Sequence, residues 1–385
     1  MNGWRPLLAV LLLAAAVFGQ ASCQACAAHG TVPCTKHGRQ LDLEKAENGT
    51  VFCSVAGDCK QCLGALAVDC KQCVNPDAEA ELKRRQQLVQ DWLRERRAAI
   101  DPLAQKGPPL YLKTPHCELA FAIKPLLIGR DKVETHPLMH LYGQRIEAVR
   151  TLFQQTFEAT DQDLPGVLRI YMFRDLADHA AVCPIVTGIG AGRAAAGIKL
   201  MGVDCVYCMW QEPRALPGDE ALHRHIVHHT AHLLLSNLNP PQWLGNRGHG
   251  WVDEGVAHWF EDKVTGKCAN FCFEEVLLHP GENFKAGRWR TPVRKMVDEG
   301  RCRSFAELAQ LGSDQLTFPD HALAFAYVDF LIATRGGKAL GRLVGLLKQK
   351  KAIGEALQEV YQLNPLTIET AWQAWVKENY SPLER

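Results

Sequence analysis

Apolar positions recur along this chain with two different periods, and each change of period marks an element. Between residues 77 and 100, Leu82, Val89, Trp92, Leu93 and Ile100 return on one face, while Lys83, Arg84, Arg85, Arg94, Arg96 and Arg97 cover the rest. That pattern predicts a charged amphipathic helix, and its usual role is a solvated link between domains. Gly107-Pro108-Pro109 breaks it and predicts a boundary. Residues 110–113 and 117–123 then read as strands. Residues 137–158 read as a long helix with Leu141, Ile146, Val149, Leu152, Phe153 and Phe157 inward. A short strand over 167–173 and a helix over 175–182 come next. The glycine-rich loop 188–197 lacks the ordered spacing of a phosphate cradle, and 198–201 reads as an edge strand. Helices are predicted over 219–237, with Asp219 as N-cap, and over 252–265. They continue over 320–334, 340–348, 353–361 and 366–379.

The resulting division has four parts. Residues 1–21 combine Arg5, an apolar run from Leu7 to Phe18 and small residues up to Ala21. This predicts a cleaved signal peptide and hence a secreted or periplasmic protein. A lipidated Cys23 is the weaker alternative, because Gln20 suits a lipoprotein signal poorly. Residues 22–75 form a small Cys/His-rich module, 76–106 a helical linker and 107–385 the main α+β domain. No later segment reads as a membrane span, and 43 basic against 42 acidic side chains give no surplus pointing to nucleic acid.

Eight of the 15 cysteines fall between Cys23 and Cys73. A module this small needs staples beyond its apolar core. Cys26-x-x-His29 and Cys34-x-x-His37 are followed by Cys59-x-x-Cys62 and Cys70-x-x-Cys73, the last two inside a repeated Asp-Cys-Lys-Gln-Cys. Four such pairs suit two tetrahedral zinc sites; a disulfide knot with surface histidines is the alternative. Cys53 belongs to neither pattern. Cys205-x-x-Cys208 reads as a local disulfide or, less naturally, a metal pair.

The richest stretch is 223–232, with five histidines in ten residues. On a helix, His228 and His232 stand one turn apart and can converge on one ion. His225 and His229 form a second such pair, and spacing alone does not choose between them. Downstream, Trp251-Val-Asp-Glu254-Gly255-Val-Ala257 begins a second helix with a carboxylate. Glu254 completes a two-histidine, one-carboxylate set with a fourth position left for water.

Here the chain resembles the gluzincin peptidases, the thermolysin-like and peptidase MA-like zinc enzymes. These carry H-E-x-x-H on one helix and W-x-x-E-G-x-A on the next. Trp251, Glu254, Gly255 and Ala257 match the second motif. The first reads His228-His229-Thr230-Ala231-His232, with His229 at the general-base position. The resemblance covers about residues 110–380 and implies a thermolysin-like domain, a small mixed sheet and active-site helix followed by a mainly helical part. It implies zinc on His228, His232 and Glu254. It places His229 at the base position and His321, with Tyr327 in reserve, across the cleft to stabilise an oxyanion. His258 would orient a ligand, and strand 198–201 would receive an extended peptide.

Plainer readings stand beside these. Glu254 in a first turn also suits the helix dipole, and His321 can be an ordinary polar residue at a helix start. His223, His225, His249 and His258 suit structural roles, and Trp251 and Trp259 suit packing. Three functions follow. One is a degenerate metallopeptidase that binds peptide and metal without efficient hydrolysis. The others are an atypical active metallopeptidase and a non-enzymatic scaffold or interaction protein.

Overall fold

Strands of period two with both faces apolar must be covered on both sides, and that requirement organises this protein. The structure is a computed structural model describing residues 23–27, 29–36, 49–191, 196–246, 248–272 and 287–382. The expected signal peptide over 1–21, His37 of the second Cys-x-x-His pair and part of the glycine-rich loop lie outside the described residues. Ten strands are described: β1 Thr31–Pro33, β2 Phe52–Cys53, β3 Ala67–Asp69, β4 Leu110–Lys113, β5 Cys117–Phe121, β6 Leu126–Ile128, β7 Asp131–Val133, β8 Leu168–Phe173, β9 Gly197–Leu200 and β10 Val206–Trp210. Apart from single turns, the helices are α1 Pro76–Ile100, α2 Thr135–Phe157, α3 Leu176–Thr187, α4 Asp219–Asn237, α5 Gly250–Thr265, α6 Arg290–Asp298, α7 Phe318–Lys348, α8 Ile353–Tyr361 and α9 Pro365–Asn379. The class is α+β with a Cys/His-rich N-terminal region. Among the described residues, no helix is long and apolar enough to cross a membrane.

The main sheet runs β2-β4-β5-β8-β10-β9. β5, β8 and β10 are parallel neighbours, while β4 and β9 run antiparallel to theirs. Leu112, Leu119, Phe121, Ile170, Met172, Tyr207 and Met209 face one core, which α2, α4, α5 and α7 close. Tyr111, Ala120, Tyr171, Phe173, Val206 and Cys208 face the other. The five apolar residues of α1 are all buried, four of them in that second core. Trp92 packs on Phe52 and donates to Glu118 Oε1 at 3.1 Å. So α1 is a layer of the fold, where its charge pattern predicted a solvated link.

Strand β10 was hidden behind the cysteine pair at its start. Period two also decides that pair's chemistry. Cys205 sits in the first core and Cys208 in the second, so residues three apart point to opposite faces and no local disulfide or shared ion is open to them. Among the described residues, which include all 15 cysteines, there is no disulfide.

Two features hold α4 in place. Asp219 is its first residue and not its cap; the carboxylate takes a two-pronged ion pair from Arg145 of α2, at 2.6 and 2.9 Å. At the other end, the buried Lys348 ammonium donates to the carbonyls of Leu235, Ser236 and Leu238, which satisfies orphan acceptors of the last turn. The predicted helices 320–334 and 340–348 are the two arms of α7, which meet at a non-helical kink at Gly336, whose φ of 78° only glycine adopts easily.

Candidate metal centre

Helix α4 carries His228 and His232 on the face that meets α5, and both are fully buried. Glu254 lies in the first turns of α5, also fully buried. Gly255 is what lets α5 come this close to α7: a Cβ there would lie 2.5 Å from the Ala324 carbonyl oxygen. The glycine of the W-x-x-E-G-x-A stretch thus has a packing cause in this chain.

Four ligand atoms converge. The Nε2 atoms of His228 and His232 are 3.2 Å apart. Glu254 Oε2 is 3.7 Å from the first and 3.5 Å from the second. The fourth atom is the sulfur of Cys272, 3.3 Å from His228 Nε2 and 2.9 Å from His232 Nε2. All four lie within 4.8 Å of one another. Tetrahedral zinc, with Zn–N near 2.0–2.1 Å and Zn–S near 2.3 Å, sets ligand–ligand edges of about 3.3–3.8 Å. The set is close to that size.

The surroundings fit a cation. Neither Glu254 oxygen has a hydrogen-bond partner among the described residues, although both are buried, an arrangement that is costly without a cation. Burial alone would push its carboxyl up, but His232 and His321 hold it well below the usual carboxylate range. Burial, with His258 and His232, keeps His228 neutral by pushing it well below the ordinary imidazole value, as ligation requires. At His232 burial opposes charge, yet Cys272, Asp253 and Glu254 outweigh it and raise the ring well above that value. The far ring nitrogens are held from behind. Glu261 Oε2 is hydrogen-bonded to His228 Nδ1 at 3.1 Å, and Asp253 Oδ1 lies 3.1 Å from His232 Nδ1 in charge contact, outside hydrogen-bond geometry. Glu261 is itself anchored through Oε1 by the backbone N–H groups of Ala269 and Asn270 and the Asn270 amide.

The remaining expected residues fall around this core. His229 is beside the centre, but its Nδ1 is 3.1 Å from Lys199 Nζ and its ring packs on Tyr207 and His225. Lys199, on edge strand β9, also donates to Cys272 Sγ at 2.8 Å. His321 is fully buried, with Nδ1 3.6 Å from Glu254 Oε2 and 3.0 Å from His258 Nε2. It approaches the same carboxylate oxygen that His228 and His232 face. Tyr327 stacks on Trp372 and packs at a tilt against Phe305. Trp251 packs edge-on against Phe305. His225, the rival of His228, is held between Tyr207 OH and Asn270 Oδ1.

Sequence reasoning missed Cys272 because it is far from the helix pair in the chain and belongs to no spacing motif. Only its chemistry marked it.

The N-terminal cysteines group differently from the expected pairs. Cys23, Cys26, Cys70 and Cys73 form one four-sulfur cluster, and Cys34, Cys59 and Cys62 a second set. Cys23 Sγ is 3.7 Å from Cys70 Sγ, and Cys26 Sγ is 3.3 Å from Cys73 Sγ. His29 is exposed and stands outside both sets. The second set is nested within the first along the chain, and antiparallel β1 and β3 cause this: Thr31 faces Asp69 and Pro33 faces Ala67. Cys23-x-x-Cys26 has the same spacing as the two downstream Cys-x-x-Cys pairs, and that spacing is the signal in the sequence for the four-sulfur cluster.

No protein-family model matches this chain, and no curated protein matches it.

Proposed function

We propose that this chain is an exported, gluzincin-like protein that holds zinc on His228, His232, Glu254 and Cys272 and binds peptide without efficient hydrolysis. The observation that carries the reading is the position of the Cys272 sulfur. A hydrolytic zinc site keeps one position for water; a thiolate 2.9 and 3.3 Å from the two imidazole nitrogens takes that position. Zinc bound to four protein groups serves as a structural ion. The base position reinforces this. His229 faces Lys199, and burial followed by His225 and Lys199 pushes its ring well below the ordinary value, so it accepts a hydrogen bond from the ammonium. Strand β9 at the sheet edge offers a backbone to which an extended peptide can add.

A second reading, an active atypical metallopeptidase, is favoured by one observation. Lys199 touches both His229 and Cys272, which places a proton-carrying pair beside the fourth position once the sulfur is displaced.

The test compares wild type, His229→Glu, Cys272→Ala and the double variant on a peptide library, with and without chelator. Only the double variant is expected to cleave, and adding Glu254→Ala should abolish that cleavage. Chelator-sensitive cleavage by wild type, removed by Glu254→Ala, establishes the active reading instead. Zinc content unchanged in folded His228→Ala sinks both and leaves the scaffold.

A further inference from the structure

Cys53, the cysteine that fitted no sequence pattern, ends strand β2 and is 1% exposed. Its sulfur lies 3.4 Å from His136 Nε2 and 3.4 Å from His140 Nε2, and these two nitrogens are 3.0 Å apart. The histidines are one turn apart at the start of α2, the same i, i+4 spacing as His228 and His232. We propose that Cys53, His136 and His140 form a further metal site, for a zinc-class ion, that staples the N-terminal region to the main domain.

Hydrogen bonding alone does not account for this triangle. A neutral imidazole nitrogen is either a donor or an acceptor, and a thiol has one proton. With three corners in mutual reach, at most two protons serve the three edges, so one edge either has no proton of its own or sets two N–H groups face to face. One cation inside satisfies every corner. The edges are close to the roughly 3.3–3.6 Å that tetrahedral zinc sets between imidazole nitrogens and a sulfur. Thiolate with imidazole is a donor set for zinc or copper, not for calcium or magnesium.

A second contact aims the ligand. Thr50 Oγ1 is 3.0 Å from His140 Nδ1, which fixes the ring and turns Nε2 toward the sulfur, the outer arrangement common to metal-bound histidines. The elements joined are far apart in the chain. β2 pairs with β4, Cys53 facing Leu112, and α2 covers the other side of that strand through Gly143, where a Cβ would lie 2.5 Å from Leu112 Cδ2. An ion here ties the sheet edge to the helix start.

The experiment uses the full chain, purified under reductant, with zinc per chain measured by plasma mass spectrometry. Cys53→Ser, His140→Ala and the half-buried His136→Ala are each expected to lose one equivalent, and the His136→Ala/His140→Ala pair still only one. Combined with His228→Ala the losses should add, which separates this site from the centre on α4. Cobalt loaded in place of zinc should lose one site's share of the thiolate charge-transfer absorption with Cys53→Ser. His136→Ala alters only a partly exposed side chain, so its fold, followed by circular dichroism, is expected to survive where the buried variants fail. Full zinc in folded His136→Ala, or a loss that does not add to that of His228→Ala, overturns the proposal.

Discussion

Asp253 Oδ1 lies 3.1 Å from His232 Nδ1, one residue before the carboxylate that His232 itself faces. Helix α5 therefore supplies, from adjacent positions, one proposed ligand and a carboxylate in charge contact with another. Asp253 is in turn fixed by Trp243 Nε1 at 2.8 Å and Ser313 Oγ at 3.2 Å. That chain of contacts gives the site a rigidity its four ligands alone would lack.

Asp253→Asn is expected to keep the fold, because the amide oxygen can still accept from Trp243 and Ser313. It should weaken zinc binding by about 10–100-fold, the usual effect of losing a ligand's orienting carboxylate. Competition with a chromophoric chelator measures this. Wild-type affinity in the variant would count against His232 as a ligand.

Metal removal should cost stability out of proportion to the number of groups involved, since it leaves Glu254 buried without a donor. With free zinc about 1,000-fold above the dissociation constant, binding contributes about 4 kcal/mol. Urea melts with and without chelator should show a loss of that order. The loss should be smaller in His228→Ala, where only the other proposed sites, the N-terminal clusters and the Cys53 triangle, would contribute to the chelator effect. Equal losses in both proteins would place the whole effect elsewhere.

Acid should destabilise the protein even without metal. Burial pushes His179 down to about 4, and burial pushes His225 down to about 3, while the unfolded chain titrates near 6.5. Between pH 6.5 and about 4 the unfolded state binds more protons, so stability falls as pH falls through that window and is complete above it. Each histidine contributes up to about 1.4 kcal/mol per pH unit there. Denaturant midpoints in chelator at pH 7 and pH 5 check this, and His225→Gln should flatten the dependence. A flat profile in wild type would refute it.

The cysteine grouping separates two residues only six positions apart. Cys23→Ser should release one zinc equivalent and expose the thiols of Cys26, Cys70 and Cys73 to alkylation. His29→Ala should release none. Zinc loss in His29→Ala, with none in Cys23→Ser, would restore the Cys-x-x-His pairing.

Lys348 anchors the end of the histidine helix, so Lys348→Met leaves three carbonyls near that end without their donor. A stability loss of about 2–3 kcal/mol is expected from stranding buried acceptors, measured by denaturant unfolding of the zinc-loaded protein. No loss would mean that water takes over the cap.

Much of this was legible in the sequence because it depends on local period. The strands at 110–113, the α4 helix and the inward residues of α1 follow from spacing alone. His228, His232 and Glu254 converge because spacing and a following helix place them on facing surfaces. What escaped depends on pairing across the chain. Cys272 reaches the centre from a loop, β10 lay behind a cysteine pair, and the nested cysteine sets follow from β1 pairing with β3. The role of α1 escaped for another reason: a charged helix with five apolar residues looks the same whether it spans solvent or lids a sheet.

The pairing of β2 with β4 carries a consequence for the protein's life in solution. Residues before 105 close one edge of the main sheet, and α1 covers the face formed by Tyr111, Tyr171 and Val206. A chain lacking that part would present an open strand edge beside an apolar face, the combination that leads to sheet-to-sheet association. Cysteine clusters and the Cys53 triangle flank this cover, so under the metal sites proposed above the supply of the ion would become a condition of solubility. Metal starvation would then be met first as aggregation, before any loss of binding at the histidine helix.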